Sequence, residues 1–97
     1  MSGYRFSPAA QVDLEAIWIY TTENWSEDQA ERYIRLLEQA CADLASGRRR
    51  GRSIEGIPPG YYQYAVGSHF LVYHLADSGH IDVVRLLHQR MDVVTHL

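Results

Sequence analysis

The pattern of apolar residues predicts two helices in the first half of this chain, joined by only two or three residues. The first helix is predicted to begin at Pro8, with Ser7 as its N-cap, and to end at about Glu23. The second is predicted to begin after a capping serine, Ser26, and to end at about Ala45, shortly before a glycine. Because the connection is so short, the helices must be antiparallel neighbours. They form a hairpin that has to bury its apolar stripes against another layer.

That layer is predicted to be a β-sheet. Residues 47–60 are rich in glycine, proline and arginine and are interpreted as a loop. Beyond them, Gly67-Ser68 and Asp77-Ser78-Gly79 are typical of hairpin turns. These turns separate three apolar runs, residues 61–66, 69–76 and 80–88. With a short strand around Tyr4, the order predicts an α+β fold, β-α-α-β-β-β, in which a helical hairpin covers one face of a three-stranded antiparallel meander.

The length of the chain, 97 residues, predicts a single domain comprising residues 1–97. No apolar run approaches the roughly 18 residues of a membrane span, and the first residues lack a signal-peptide pattern. A cytoplasmic protein without membrane contact is therefore expected. Cys41 is the only cysteine, and the five histidines form no tight ligand motif. Neither a metal site nor a cofactor is predicted.

Charge is distributed unevenly along the chain. Residues 1–45 contain eight acidic residues and three arginines, whereas residues 46–97 contain four acidic residues and six arginines. Lysine is absent. Four of the arginines lie in the run Arg48–Arg52, which can bind phosphate through counterion release or can stay solvated at the C-terminal end of the second helix. The solvated interpretation is favoured, because the net charge is -3 and no aromatic residue interleaves the run.

Two stretches carry the motifs of a known family. DLEAIWIYTTENWSEDQAERYI, Asp13 to Ile34, is similar to the helical hairpin of the ParE branch of the ParE/RelE toxins, and GSHFLVYHL followed by IDVVRLLHQRMD resembles its last two strands. The resemblance covers nearly the whole chain in the right order. It implies a small bacterial toxin that is neutralised by a ParD-like antitoxin encoded beside it. ParE toxins are known for poisoning DNA gyrase, whereas RelE relatives cleave messenger RNA on the ribosome.

The choice between these activities depends on residues that could transfer protons. RNA cleavage needs a base, an acid and cations for the developing charge on the phosphorane. RelE-type sites resemble a lysine- and arginine-rich cluster with a tyrosine near the C-terminus, but here lysine is missing and the last tyrosine is Tyr73. Many ParE-like sequences have an arginine where this chain has Tyr62, Gln63 and Tyr64. We expect no catalytic residue, and we expect growth inhibition by gyrase poisoning, with DNA contacted only through gyrase or the antitoxin.

Two alternatives stay open. The first is a ribosome-dependent endoribonuclease of the RelE type that uses Glu55, Arg85 and His88. Against it, Arg85 and His88 are three apart along a strand and should point to opposite faces of the sheet. The second alternative is an inactive toxin that acts only as an antitoxin-bound co-repressor.

The end of the last strand and the tail beyond it are the predicted target-binding surface. Arg85 interrupts an apolar run, so its guanidinium needs a partner, for which Glu15, Glu38 or an antitoxin carboxylate are candidates. A structural ion pair and a functional contact both remain open for this residue. The predicted gyrase-binding residues are Arg85, Arg90, Met91, Asp92, His96 and Leu97.

Both helices carry more apolar surface than one sheet contact can bury. This surplus predicts a groove between the helices and the sheet edge, in which an amphipathic antitoxin helix binds while a following extended segment adds to a strand edge. The predicted antitoxin-binding residues are Ile17, Ile19, Tyr20, Tyr33, Leu36, Leu37 and Ala40.

Overall fold

The computed structural model describes residues 3–97, so Met1 and Ser2, which the predicted domain includes, lie outside the described residues. The helices are α1, Pro8–Asn24, and α2, Glu27–Ser46. The strands are β1, Tyr4–Phe6; β2, Arg52–Ser53; β3, Tyr61–Val66; β4, His69–Leu75; and β5, Ile81–His88. A 3₁₀ turn, Val94–His96, follows. The predicted α+β order is confirmed, and neither α1 nor α2 contains a stretch suited to crossing a membrane.

The helices begin and end where local sequence predicts. The Ser7 hydroxyl accepts a hydrogen bond from the Ala10 N–H at 3.0 Å, and the Ser26 hydroxyl accepts one from the Gln29 N–H at 3.0 Å. α2 ends at Gly47, whose φ of +82° lies in the left-handed region that glycine adopts readily. Both predicted N-caps and the predicted stop are therefore confirmed.

The strands form one mixed sheet in the order β1-β5-β4-β3-β2. β3, β4 and β5 make the predicted antiparallel meander, and β1 lies in parallel beside the first half of β5. The interpretation of residues 47–60 as a loop is wrong at one point, because Arg52 and Ser53 form β2 against β3. Two residues are too few to show the period-2 alternation of a strand, so only the partner strand identifies them.

A β-bulge in β5 changes which way its side chains point. The pairing between β4 and β5 shifts by one residue next to Val72 and Tyr73, which leaves Val84 as the extra residue. Val83 and Leu86 therefore both face the helices although they are three residues apart. The bulge sets the orientation of the polar end of β5.

Apolar clusters cover both faces of the sheet. The larger cluster lies between the helices and the sheet and includes the fully buried Leu37 and Leu71. The smaller cluster lies on the opposite face, and its buried members are Ile54, Val72, Leu87 and Val93. Ile54 comes from the segment before β3 and Val93 from the C-terminal tail. The tail therefore contributes to a second core, which the helix-on-sheet prediction does not include.

Candidate functional site

A cleft of about 590 Å³ opens between α1, the start of α2, the β3–β4 turn and the end of β5. Tyr20 and Trp25 line it and are largely exposed, at 63% and 74%. The buried Ile17 and Leu86 and the partly exposed Met91 add further apolar surface. Its polar side chains include Asp13, Tyr33, His69 and His88. A cleft that combines exposed aromatic rings with several polar side chains is typical of a binding site.

Tyr33 connects α2 to the β3–β4 turn at this cleft. Its hydroxyl lies 2.6 Å from His69 Nδ1, accepts a hydrogen bond from the Ser68 N–H at 3.0 Å and lies 3.3 Å from the Val66 carbonyl oxygen. Gly67 has a φ of +56°, and a Cβ at this position would lie 2.6 Å from the Tyr33 ring. Only glycine allows the turn to approach the ring so closely. Burial raises the pKa of the Tyr33 phenol, against an opposing effect of the Ser68 N–H.

Two histidines face each other across β4 and β5 in the cleft. His69 and His88 are register partners, and their ring centroids are 5.4 Å apart in an edge-on arrangement. His88 Nδ1 accepts a hydrogen bond from the Arg90 N–H at 3.1 Å, so neutral His88 carries its proton on Nε2. Burial lowers the pKa of His69, the neighbouring His88 lowers it further, and Asp13 opposes the shift. The folded protein therefore favours a neutral His69.

This shift predicts that the free energy of unfolding falls in acid. The unfolded chain protonates His69 near its ordinary pKa of 6.5, whereas the folded chain protonates it only at lower pH. Between these two pKa values the unfolded state binds more protons, so the contribution of His69 to stability is fully present above pH 6.5 and is lost as the pH falls below it. The substitution His69→Asn should reduce this decrease, because it removes the proton-binding ring and keeps a polar atom near Tyr33. Urea denaturation of both proteins across this pH range measures the effect, and an unchanged pH dependence in His69→Asn would contradict it.

Arg85 forms a partly buried, bidentate ion pair with Asp13 of α1. Its Nε and Nη2 donate to the two carboxylate oxygens at 2.8 and 3.0 Å, and its Nη1 donates to the His96 carbonyl oxygen at 2.9 Å. The same carboxylate accepts a backbone N–H of β5 at 2.9 Å. The partner is therefore Asp13, and the expectation of Glu15 or Glu38 is wrong. Arg85 holds α1, β5 and the tail together.

The predicted target-binding residues fall into two groups. Arg85 and His96 are bonded to each other within the chain, so most of the hydrogen-bonding capacity of the guanidinium is already used. The others keep exposed side chains, and the two apolar ones, Met91 and Leu97, are 37% and 46% exposed. The residues that a partner can reach are Arg90, Met91, Asp92 and Leu97.

The predicted antitoxin-binding residues are divided in a similar way. Ile17, Tyr20 and Tyr33 line the cleft. Ile19 and Leu36 are 47% and 49% exposed but lie outside its lining. A cleft is thus present at the end of the hairpin where α1 and α2 connect, and three of the predicted residues line it.

Leu37 and Ala40 require a correction. They are 0% and 8% exposed, belong to the core between α2 and the sheet and, unlike Ile17, do not line the cleft, so they are not available to a partner. Leu36, which precedes Leu37, remains half exposed. Helical spacing locates the centre of an apolar stripe, but the width that is buried depends on the surface against which the helix packs.

Several residues of the cleft were not predicted from the sequence. Trp25, Gln29, Ser68 and His69 line it, and Trp25 is its most exposed aromatic side chain. Trp25 had one available signal, because a tryptophan in a short polar helix connection has little surface of its own chain to pack against. His69 had none, since its role depends on Tyr33 and on the pairing with His88.

The three residues of the nuclease alternative do not form a cluster. Arg85 pairs with Val72, which faces the smaller cluster, whereas His88 lines the cleft on the helix side. The strand register is in line with the prediction of opposite faces, but the guanidinium of Arg85 reaches Asp13 of α1, which lines the same cleft as His88. Glu55 follows Ile54 in the loop, and no hydrogen bond or ion pair joins any two of the three among residues 3–97. Within the same range, no three potential metal ligands converge.

Residues 4–93 match the model of the family described as ParE toxin of type II toxin-antitoxin system, parDE. Toxin ParE1 of Mycobacterium tuberculosis is 50% identical over 96 residues, which cover 99% of this chain and 98% of that protein. Toxin ParE1 of Caulobacter vibrioides is 34% identical over 97 residues, covering 100% of this chain and 99% of that protein. These matches extend over the cleft, both helices and the whole sheet.

Solved structures with this fold support the same topology. The chromosomal ParDE system from P. aeruginosa contains a chain that matches with a TM-score of 0.74 and 16% identity, covering 91% of this chain and 96% of that chain. The YoeB-YefM complex from Staphylococcus aureus contains one that matches with a TM-score of 0.61 and 20% identity, covering 92% and 98%. At these identities the likeness concerns the fold.

Proposed function

This chain belongs to the ParE toxin family of type II toxin–antitoxin systems, and from that membership we propose that it arrests growth by binding and poisoning DNA gyrase and that a ParD-like antitoxin neutralises it. The observation that carries the proposal is the family match over residues 4–93. Gyrase is proposed because ParE toxins are known for that target. The chain acts in this proposal by binding, and the topoisomerase supplies the chemistry of DNA cleavage.

The hydrogen bonds of Arg85 support a toxin that acts by binding and not by RNA cleavage. A cation that stabilises a developing phosphorane must be free to approach the phosphate. The guanidinium of Arg85 instead donates to both oxygens of Asp13 and to the His96 carbonyl oxygen. His88 takes part in none of the ion pairs found among residues 3–97, so no carboxylate partner orients its ring. This arrangement favours a structural role for Arg85 over a role in RNA cleavage.

A supercoiling assay tests the proposed target. Purified toxin added to gyrase from the same organism should inhibit supercoiling of relaxed plasmid and should increase the amount of cleaved DNA. Addition of the antitoxin in equimolar amount should reverse both effects. No effect of the toxin at micromolar excess would contradict the proposal. Cleaved transcripts in primer extension after induction would support the RelE-type alternative, and induction without a growth defect would support the co-repressor alternative.

We also propose that the antitoxin occupies the cleft. Tyr20 and Trp25 expose most of their aromatic surface there, beside the buried Ile17 and the half-buried Tyr33. An amphipathic helix placed in such a groove buries apolar residues spaced three and four apart. Large aromatic side chains are also the residues that most often dominate the energy of an interface.

The antitoxin proposal predicts a contrast between two double variants. Tyr20→Ala/Trp25→Ala should weaken antitoxin binding by more than about 2 kcal/mol, or roughly 30-fold, because both side chains line the cleft. Ile19→Ala/Leu36→Ala should weaken it by less than about 1 kcal/mol, because these side chains are exposed outside the cleft. Isothermal titration measures both affinities, with circular dichroism to verify folding. If the Ile19/Leu36 variant lost more affinity than the Tyr20/Trp25 variant, the antitoxin would bind the exposed helical surface outside the cleft.

A further inference from the structure

The arginine run Arg48–Arg52 is held in place by its backbone. The Arg49 N–H donates to the Asp43 carbonyl oxygen at 3.2 Å, and the Gly51 N–H donates to the Tyr73 hydroxyl at 2.9 Å. Arg52 lies in β2 and pairs there with Gln63 of β3. The run is therefore anchored at three positions, so its arginines project from a defined surface.

Gly51 is the position that makes this anchoring possible. A Cβ there would lie 2.7 Å from the Gln63 carbonyl oxygen and 2.8 Å from the Tyr73 hydroxyl. Any other residue would push the run away from the sheet. The glycine inside the arginine run thus brings the arginines against an aromatic part of the sheet.

A pocket of about 490 Å³ lies at this position, at the opposite end of α2 from the cleft. Arg49 and Arg50 line it together with Tyr62 and Tyr73, whose rings are stacked with centroids 5.6 Å apart. No aromatic residue interleaves the arginines in the sequence. The fold supplies the partly exposed ring of Tyr62 from β3 instead, and the buried ring of Tyr73, which is 4% exposed, stacks against it.

The charges of the run have no ion-pair partner in the part of the chain that the structure describes. All four arginines are exposed, and none of them takes part in the ion pairs found among residues 3–97. Guanidinium groups match the geometry of phosphate oxygens and can bind them in a bidentate manner. A cluster of unpaired guanidinium groups beside a partly exposed tyrosine, here Tyr62, is a combination that suits single-stranded nucleic acid.

We propose that the pocket and the Arg48–Arg52 run form a direct binding site for single-stranded nucleic acid, with backbone phosphates on the arginines and one unpaired base in the pocket beside Tyr62. This goes beyond gyrase poisoning, in which DNA is contacted through the topoisomerase. A single strand is favoured over a duplex because the bases of a duplex are stacked inside it and cannot enter a pocket. Nucleic acid is favoured over an acidic peptide because the site pairs its cations with aromatic rings.

Fluorescence anisotropy with a labelled oligothymidylate of about 12 nucleotides tests this site, at several salt concentrations and without gyrase or antitoxin. If four phosphates are bound, the slope of log K against log salt should be about -3, and Arg49→Gln/Arg50→Gln should reduce it to about -1.5 and weaken binding at low salt at least about tenfold. The matched control is Arg32→Gln/Arg35→Gln, which removes two exposed arginines of α2 that do not line the pocket. The control should keep wild-type affinity within about twofold.

Several outcomes would overturn the proposal: no binding by the wild-type protein at low salt, equal loss in both double variants, or equal affinity for a duplex of the same length. Displacement of the oligonucleotide by an equal concentration of oligoglutamate or pyrophosphate would assign the site to an acidic peptide or to free phosphate. If Arg49→Gln/Arg50→Gln fails to fold by circular dichroism, Arg48→Gln/Arg52→Gln provides the same comparison. Because the assay contains no topoisomerase, its result is independent of the supercoiling assay.

Discussion

Deletion of residues 91–97 is expected to lower the free energy of unfolding by about 4 kcal/mol, from the lost burial of one valine and the loss of one charged hydrogen bond. Val93 is 7% exposed and belongs to the cluster that covers Val72 and Leu87. The His96 carbonyl oxygen accepts the hydrogen bond from Arg85 Nη1 at 2.9 Å. A loss of this size is a large part of the total stability of a small domain. A deletion that abolished toxicity would therefore not identify a target-binding surface.

Val94→Ser/Leu97→Ser is the variant that separates the two roles of the tail. Val94 and Leu97 are 44% and 46% exposed, and the double substitution keeps Val93 and the His96 carbonyl group. Its free energy of unfolding should stay within about 1 kcal/mol of wild type, as is usual for surface positions. If the tail contacts the target, this folded variant should arrest growth less strongly. Urea denaturation and a growth assay measure the two effects. If the deletion variant were as stable as wild type, the conclusion that the tail contributes to the smaller apolar cluster would be contradicted.

Asp13→Ala is expected to lower the free energy of unfolding by about 3 kcal/mol, because it leaves a partly buried guanidinium without its carboxylate. Three hydrogen bonds are lost, two from Arg85 and one from the Leu86 N–H. The side chains of Asp13 and Arg85 are only 14% and 27% exposed. Water can therefore replace the carboxylate only in part.

Asp82→Ala provides the matched control for Asp13→Ala. Asp82 pairs with Arg5 at 3.2 Å, but the Arg5 side chain is 74% exposed. The control should cost less than about 1 kcal/mol, the usual contribution of an exposed pair. Chemical denaturation at neutral pH measures both, and Asp13→Ala/Arg85→Met should recover part of the loss because it leaves no unpaired charge. Equal effects of the two aspartate substitutions would contradict the structural role of Asp13.

Most of the fold was predictable because its signals are local. The hydrogen bond between the Ser26 hydroxyl and the Gln29 N–H joins residues three apart, so the sequence on either side is sufficient to locate the start of α2. The same applies to Gly67, whose positive φ defines the turn between β3 and β4. β2 and the bulge at Val84 were not predictable, because each is defined only by the strand it pairs with.

The candidate site was predictable only in part. The predicted antitoxin-binding set included Tyr20 and Tyr33, which do line the cleft. The same set included Leu37, which is fully buried. The ion pair of Asp13 and Arg85 joins residues 72 positions apart, and no local pattern distinguishes Asp13 from Glu15 as the partner.

The sequence by itself determined the ends of both helices, the order of the helices and of every strand except β2, the resemblance to the family and the candidate residues for binding, because these depend on contacts within one turn of chain and on motifs. Only the tertiary structure decided which of those residues are reachable. It buried Leu37 against the sheet and bonded Arg85 to Asp13, and it left Tyr20 and Trp25 open beside His69. It also brought the arginine run to Tyr62 and Tyr73 through the close approach of Gly51. The physical reason is that exposure and ion pairing depend on surfaces from distant parts of the chain, whose relative positions are set by packing and strand register.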